Sequence, residues 1–147
     1  MSSGDGWTRC AQGHRHWGRY GAAGLLVVRD STVLLQLRSP HTHLGSTWSI
    51  PGGARDADEL PEAAALREAF EEAGLAAADV GVLANFVDDH GGWSYTTVIA
   101  RLLRPVAMIQ NYESARLDWV PIDDVASIPL HEGFRASWPQ VRLLLPS

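Results

Sequence analysis

Cys10 is the only cysteine of the chain, so no disulfide can close within it. That usage points to a reducing compartment, and a cytoplasmic setting is expected. No apolar run reaches the length that a membrane span needs. The polar start, Met1 to Gly6, does not resemble a signal peptide. No internal repeat or low-complexity tract is present. Positive charge is scarce as well: 12 Lys and Arg stand against 17 Asp and Glu, for a net charge of −5. This argues against a surface that coats nucleic acid, so neither a stable nucleic-acid complex nor a membrane partner is expected. A small nucleotide-like substrate stays compatible, because a metal ion supplies positive charge locally. The length of 147 residues fits one domain, 1–147, with room for a real core. Any oligomer is expected to be a homodimer.

Strands alternate with a few helices along the chain. Residues 1–20 read as an irregular segment, loose at its start. Gly21 to Arg29 and Thr32 to Arg38 read as strands joined by an Asp30-Ser31 turn. Ser39 to Thr47 is a loop holding His41 and His43. Trp48-Ser49-Ile50-Pro51-Gly52-Gly53 reads as a short strand ended by a Pro-Gly-Gly turn. A long helix follows from Leu60 to Ala73. Val80 to Val87 and Tyr95 to Leu103 read as paired strands around the loop Asp88-Asp89-His90-Gly91-Gly92. Arg116 to Val120 is a short strand, Pro121 opens a short helix, and a final helix is expected to start near Pro139. The pattern is that of an α/β fold with a mixed sheet.

The helix carries the chemistry. It is rich in alanine, Pro61 suits a first turn, and Gly74 stands where a helix ends. Leu66, Ala69, Phe70 and Ala73 follow the spacing of one buried face. Glu68, Glu71 and Glu72 are three and four residues apart, which places them on one side. Like charges at that spacing repel, and a bound cation reverses the sign of the interaction. Hard oxygen ligands suit Mg2+ or Mn2+. An E-x-x-E-E run alone reads as a solvated acidic face. The Pro-Gly-Gly turn ahead of it, bringing bare backbone close, shifts the reading toward a metal site.

Residues 53–75 hold Gly53, five residues, Glu59, seven residues, then Arg67-Glu68-Ala69-Phe70-Glu71-Glu72-Ala73-Gly74-Leu75. This resembles the signature box of the Nudix hydrolases, G-x5-E-x7-R-E-U-x-E-E-x-G-U with U bulky and apolar. The one soft departure is the small Ala69. The resemblance implies an α/β/α sandwich and a metal-dependent enzyme that cleaves a diphosphate linked to another moiety. It implies Glu68, Glu71 and Glu72 as metal-binding carboxylates, with the Gly52 carbonyl as a further ligand. Glu68 or a neighbour could also take a proton from the attacking water. Glu59 would orient the site, and Arg67 would pair with box carboxylates rather than with phosphate. Many members place one more acid before a strand containing tryptophan. Glu113, six residues before Trp119, is the candidate ligand or base, ahead of Asp118.

Arg38 is a candidate phosphate contact, and Trp93 and Tyr95 are candidate substrate contacts, with Trp93 the better base-stacking platform. His90 could meet a leaving phosphate or simply be solvated. Cys10, His14 and His16 could suggest zinc, but no fourth ligand stands in a local pattern, which disfavours that reading. Leu34 to Ser39 is similar to the start of the family's coenzyme A motif, yet His43 stands where that motif has arginine. The short form is most similar to the MutT-like group, in particular to actinobacterial members with no assigned substrate. Hydrolysis of a nucleoside di- or triphosphate, or a related derivative, is therefore expected. The competing readings are a catalytically silent ligand-binding module on this scaffold and a diphosphate-lipid isomerase. Silent modules commonly lose box carboxylates, whereas this chain keeps all of them.

Overall fold

Alternation along the first long strand builds both faces of the sheet. Ala23, Leu25 and Val27 point to one side, and Leu26 and Val28 to the other. A computed structural model describes residues 4–11, 13–38, 46–106 and 114–146, with the backbone alone for Arg38, Ser114 and Ala115. Its elements are β1 (Trp7–Arg9), β2 (Arg15–Trp17), β3 (Ala22–Arg29), β4 (Thr32–Arg38), β5 (Trp48–Ser49), β6 (Gly52–Ala54), α1 (Pro61–Ala73), β7 (Val80–Asp89), β8 (Ser94–Leu102), β9 (Ser114–Pro121) and α2 (Glu132–Leu143).

The main sheet has seven strands. β3 and β8 are parallel, and the other pairings are antiparallel, so the sheet is mixed. One core lies under α1, where Leu25, Val27, Leu34 and Val98 meet Ala64, Ala65, Ala69 and Ala73. The alanines let α1 sit close to the sheet, and a larger residue at Ala69 would overpack by about 1–3 kcal/mol. The second core lies under α2, where Leu26, Val33, Leu35 and Ile99 meet Phe134, Trp138 and Val141. The result is the expected sandwich of a mixed sheet between helices. No helix among the described residues is long and apolar enough to cross a membrane.

The sheet is split where it matters. β4 pairs with β3 at Val28↔Val33 and Arg29↔Thr32. At the other end of β3 that edge is taken by β6, with Gly24↔Gly52 and Ala23↔Gly53. The Leu25 amide also donates to the Pro51 carbonyl at 2.9 Å. Gly52 and Gly53 are therefore held as a short strand rather than as the turn expected from Pro-Gly-Gly.

Two other expectations are corrected. The segment 1–20 is not irregular throughout: β1 and β2 pair with Trp7↔Trp17 in register, and the Arg19 amide donates to the Gly4 carbonyl at 2.8 Å. Three-residue strands are too short to show alternation. The last helix starts at Glu132, not near Pro139, which lies inside it. His131 caps it, with Nδ1 accepting from the Gly133 amide at 3.2 Å. Prolines favour first turns, which is why Pro139 suggests a start that the fold does not use.

Candidate active site

Helix α1 begins after Leu60 with Pro61 in its first turn and ends at Gly74, which is left-handed at φ 74°. Glycine tolerates that conformation without a Cβ penalty. The buried residues of α1 are Ala64, Ala65, Ala69, Glu72 and Ala73. Phe70, expected on the buried face, is 61% exposed. The buried stripe runs through 65, 69, 72 and 73, and a helix turns position 70 away from it. Glu72 thus sits on an otherwise alanine face at 6% exposure. Its Oε1 accepts from Gln36 Nε2 on β4 at 3.4 Å, and Gln36 is itself buried. Gln36 was missed in the sequence, although a lone polar residue inside the apolar run Thr32 to Leu37 was its signal.

Arg67 organises the acids. Its Nε and Nη2 fork onto Glu59 Oε2 and Oε1, both at 2.9 Å. Nη2 also donates to the Ala54 carbonyl at 3.0 Å, and Nη1 to Glu68 Oε1 at 3.0 Å. Glu71 Oε2 lies 3.7 Å from Nη1. Glu59 Oε1 further accepts from the Asp56 amide at 3.0 Å. The hydrogen bonds from Arg67 hold the Glu59 carboxyl below its ordinary range, against the opposing effect of burial. The same pair raises the Arg67 pKa further above its already high value.

Bare backbone faces Glu68. A Cβ on Gly53 would stand 2.6 Å from Glu68 Oε1. A Cβ on Gly52 would stand 2.6 Å from the Ala23 carbonyl oxygen and 2.7 Å from the Tyr95 hydroxyl. Neither glycine has a positive φ, so close approach, not an unusual backbone angle, explains both. Glu68, Glu71 and Glu72 on α1, with the backbone of β6 beside Glu68, offer a hard oxygen donor set. Its chemistry fits Mg2+ or Mn2+. A cation beside them would offset the cost of burying the Glu72 charge and the repulsion expected along this face of the helix.

The remaining candidates divide. Glu113, His41 and His43 lie outside the described residues, as does the Arg38 side chain. Asp118 Oδ2 accepts from Arg116 Nε at 2.8 Å on an exposed stretch of β9. Tyr95 brings its hydroxyl against Gly24 and Gly52. Trp93 is fixed by its Nε1, which donates to the Gly18 carbonyl at 3.0 Å. One face of Trp93 stacks on His16, with centroids 4.0 Å apart and planes 8° from parallel. His90 pairs through Nε2 with Asp88 Oδ2 at 2.9 Å. A surface depression of about 390 Å3, lined in part by Asp30, Ser31 and Pro121, lies at the opposite end of β3 from Gly52. It brings none of the box acids together.

Comparison with known proteins identifies the family and the fold. Residues 18–142 match the NUDIX domain family. A Mycobacterium tuberculosis protein provisionally named 8-oxo-dGTP diphosphatase 3 is 48% identical over 150 residues, which span 95% of this chain and 69% of that protein. A Bifidobacterium longum nucleoside triphosphate pyrophosphatase/Nudix hydrolase fusion protein is 40% identical over 149 residues, 93% of this chain and 30% of the fusion. The crystal structure of RenU, a Nudix hydrolase from M. smegmatis, superposes with a TM-score of 0.87 at 47% identity, covering 98% of both chains.

Proposed function

The chain belongs to the NUDIX family and is a pyrophosphohydrolase, and we propose that it cleaves the diphosphate linkage of a nucleoside triphosphate with Mg2+ or Mn2+ held by Glu68, Glu71 and Glu72. The observation that carries this reading is the approach of α1 to β6, with Glu68 against the Gly53 backbone and Glu72 buried beside Gln36. The Gly52 carbonyl is the proposed backbone ligand.

The bound ion would polarise phosphoryl oxygens and favour ionisation of the attacking water. The chain's own groups do the rest. Glu68 accepts the proton of the water, directly or through a neighbouring carboxylate. Glu59 stays ionised beside Arg67 and holds that guanidinium, which in turn aims Glu68. Arg67 is a positioning residue rather than a phosphate ligand, since its donors are engaged by Glu59, Glu68 and Ala54. Water adds to phosphorus, the P–O–P bridge breaks, and a nucleoside monophosphate and pyrophosphate leave. Glu113 is the proposed further ligand or base, and Arg38 the proposed phosphate contact.

The proposed substrate class is supported by the names of the relatives and by the placement of Trp93. The M. tuberculosis relative bears the name of an oxidised purine triphosphate diphosphatase, and the B. longum protein that of a nucleoside triphosphate pyrophosphatase. Trp93, clamped by Gly18 and His16, is a rigid aromatic platform for a base, and Tyr95 stands nearby at 6.5 Å between ring centroids. The test is a panel of dGTP, 8-oxo-dGTP, ATP and ADP-ribose with Mg2+, read by product identity. The account expects pyrophosphate from a triphosphate, with 8-oxo-dGTP among the best substrates. Cleavage of ADP-ribose alone would overturn the substrate class.

A further inference from the structure

A second group of ligating atoms lies away from the acidic helix. The turn joining β1 to β2 carries Cys10, β2 carries His16, and the loop joining β7 to β8 carries His90. Cys10 Sγ and one ring nitrogen from each histidine lie within 4.8 Å of one another. Cys10 is 7% exposed and forms no disulfide. His16 Nε2 and His90 Nδ1 are both buried and make no hydrogen bond. Buried polar atoms are nearly always partnered, so two orphans beside a thiol call for an explanation.

The surroundings prepare these atoms. Asp88 Oδ2 meets His90 Nε2 at 2.9 Å, so the proton rests on Nε2 and the Nδ1 lone pair is presented inward. A carboxylate behind an imidazole in this way is the usual outer partner of a metal-bound histidine. The stack on Trp93 fixes the His16 ring, and His90 stands edge-on to it at 4.9 Å. The Cys10 amide donates to the His14 carbonyl at 3.0 Å, and its own carbonyl accepts from Gly13 at 3.0 Å. The Ala11 amide donates to the Gly91 carbonyl at 2.6 Å, locking the hairpin onto the loop.

We propose that Cys10 Sγ, His16 Nε2 and His90 Nδ1 bind one Zn2+ ion that staples the β1–β2 hairpin to the β7–β8 loop. One thiolate and two imidazoles select a borderline-soft ion, whereas the carboxylates of α1 select a hard one. Zinc bonds of about 2.0–2.3 Å need the three atoms drawn together by about an ångström. A water molecule taken in with the ion would complete the fourth position. Ligation displaces the thiol proton of Cys10, so one proton is released for each ion bound. The staple also holds the wall on which Trp93 stands.

The full-length protein, stripped with chelator, is titrated with Co2+ and then with Zn2+. A thiolate-to-cobalt absorption band should grow to one equivalent, and Zn2+ should abolish it. The thermal midpoint should rise by about 5–10 °C when Zn2+ stands a hundredfold above its Kd. Cys10→Ser should lose the band, and Asp88→Asn should weaken Zn2+ about ten- to a hundredfold while keeping the far-ultraviolet spectrum of a folded protein. Glu72→Gln should keep the band. Because Cys10 is the only thiol, its alkylation rate is an independent readout that needs no variant, and Zn2+ should slow it. Cobalt bound without a thiolate band, an alkylation rate that Zn2+ leaves unchanged, or no binding at all would overturn the proposal.

Discussion

Replacing Arg67 by methionine keeps the apolar stem and removes the guanidinium. Four donated hydrogen bonds disappear: two to Glu59, one to Glu68 and one to the Ala54 carbonyl. Removing one partner from a fully buried ion pair costs about 3–5 kcal/mol, while exposed pairs contribute about 0–1 kcal/mol. Arg67 lies between these limits, since its side chain is 31% exposed and that of Glu59 only 13%. A loss of about 2–3 kcal/mol is expected, or about 4–12 °C in thermal midpoint for a domain of this size. The assay is urea and thermal unfolding in chelator at pH 7 for the wild type, Arg67→Met, Glu59→Gln and the double variant. Coupling between the two sites should reach at least about 1 kcal/mol. A cost below about 0.5 kcal/mol for Arg67→Met, or strict additivity, would refute the reading of Arg67 as the keystone of the acids.

Gly53→Val should lower both turnover and stability, the latter by about 1–3 kcal/mol, because its Cβ would press on the Glu68 carboxylate; wild-type values for both would disprove the close-approach argument. Glu72→Gln should reduce turnover to background while the metal-free thermal midpoint stays level or rises, since a buried charge is removed; near-normal turnover would remove Glu72 from the ligand set. The folded Glu59 carboxyl titrates below its ordinary 4.5, so its contribution is present above that pH and is lost as pH falls through the lower folded value. Stability measured from pH 6 downward should therefore fall more steeply below about 4.5 in the wild type than in Glu59→Gln, and parallel curves would contradict the linkage.

The helix and its acids were legible because every signal there is local. Pro61, the alanines, the Glu68-Glu71-Glu72 spacing and Gly74 all act within a few turns. β4 has the bounds its sequence suggests, Thr32–Arg38, because an apolar strand next to a turn shows itself. What stayed hidden depends on contacts distant in sequence. Gln36 meets Glu72 across 36 positions, and His90 joins Cys10 and His16 only after the hairpin docks on the loop. The hairpin itself was missed because three-residue strands carry no period. Phe70 and Pro139 misled for a shared reason: a local rule placed each of them, and tertiary packing chose otherwise.

The measurement that bears most directly on the central claim is the rate of pyrophosphate release from the best nucleoside triphosphate while Mg2+ is raised from excess chelator. The account predicts background release in chelator, a saturable rise with free Mg2+ in the wild type, and no rise in Glu72→Gln. Full turnover in excess chelator, or an undiminished Mg2+ response in Glu72→Gln, would contradict it.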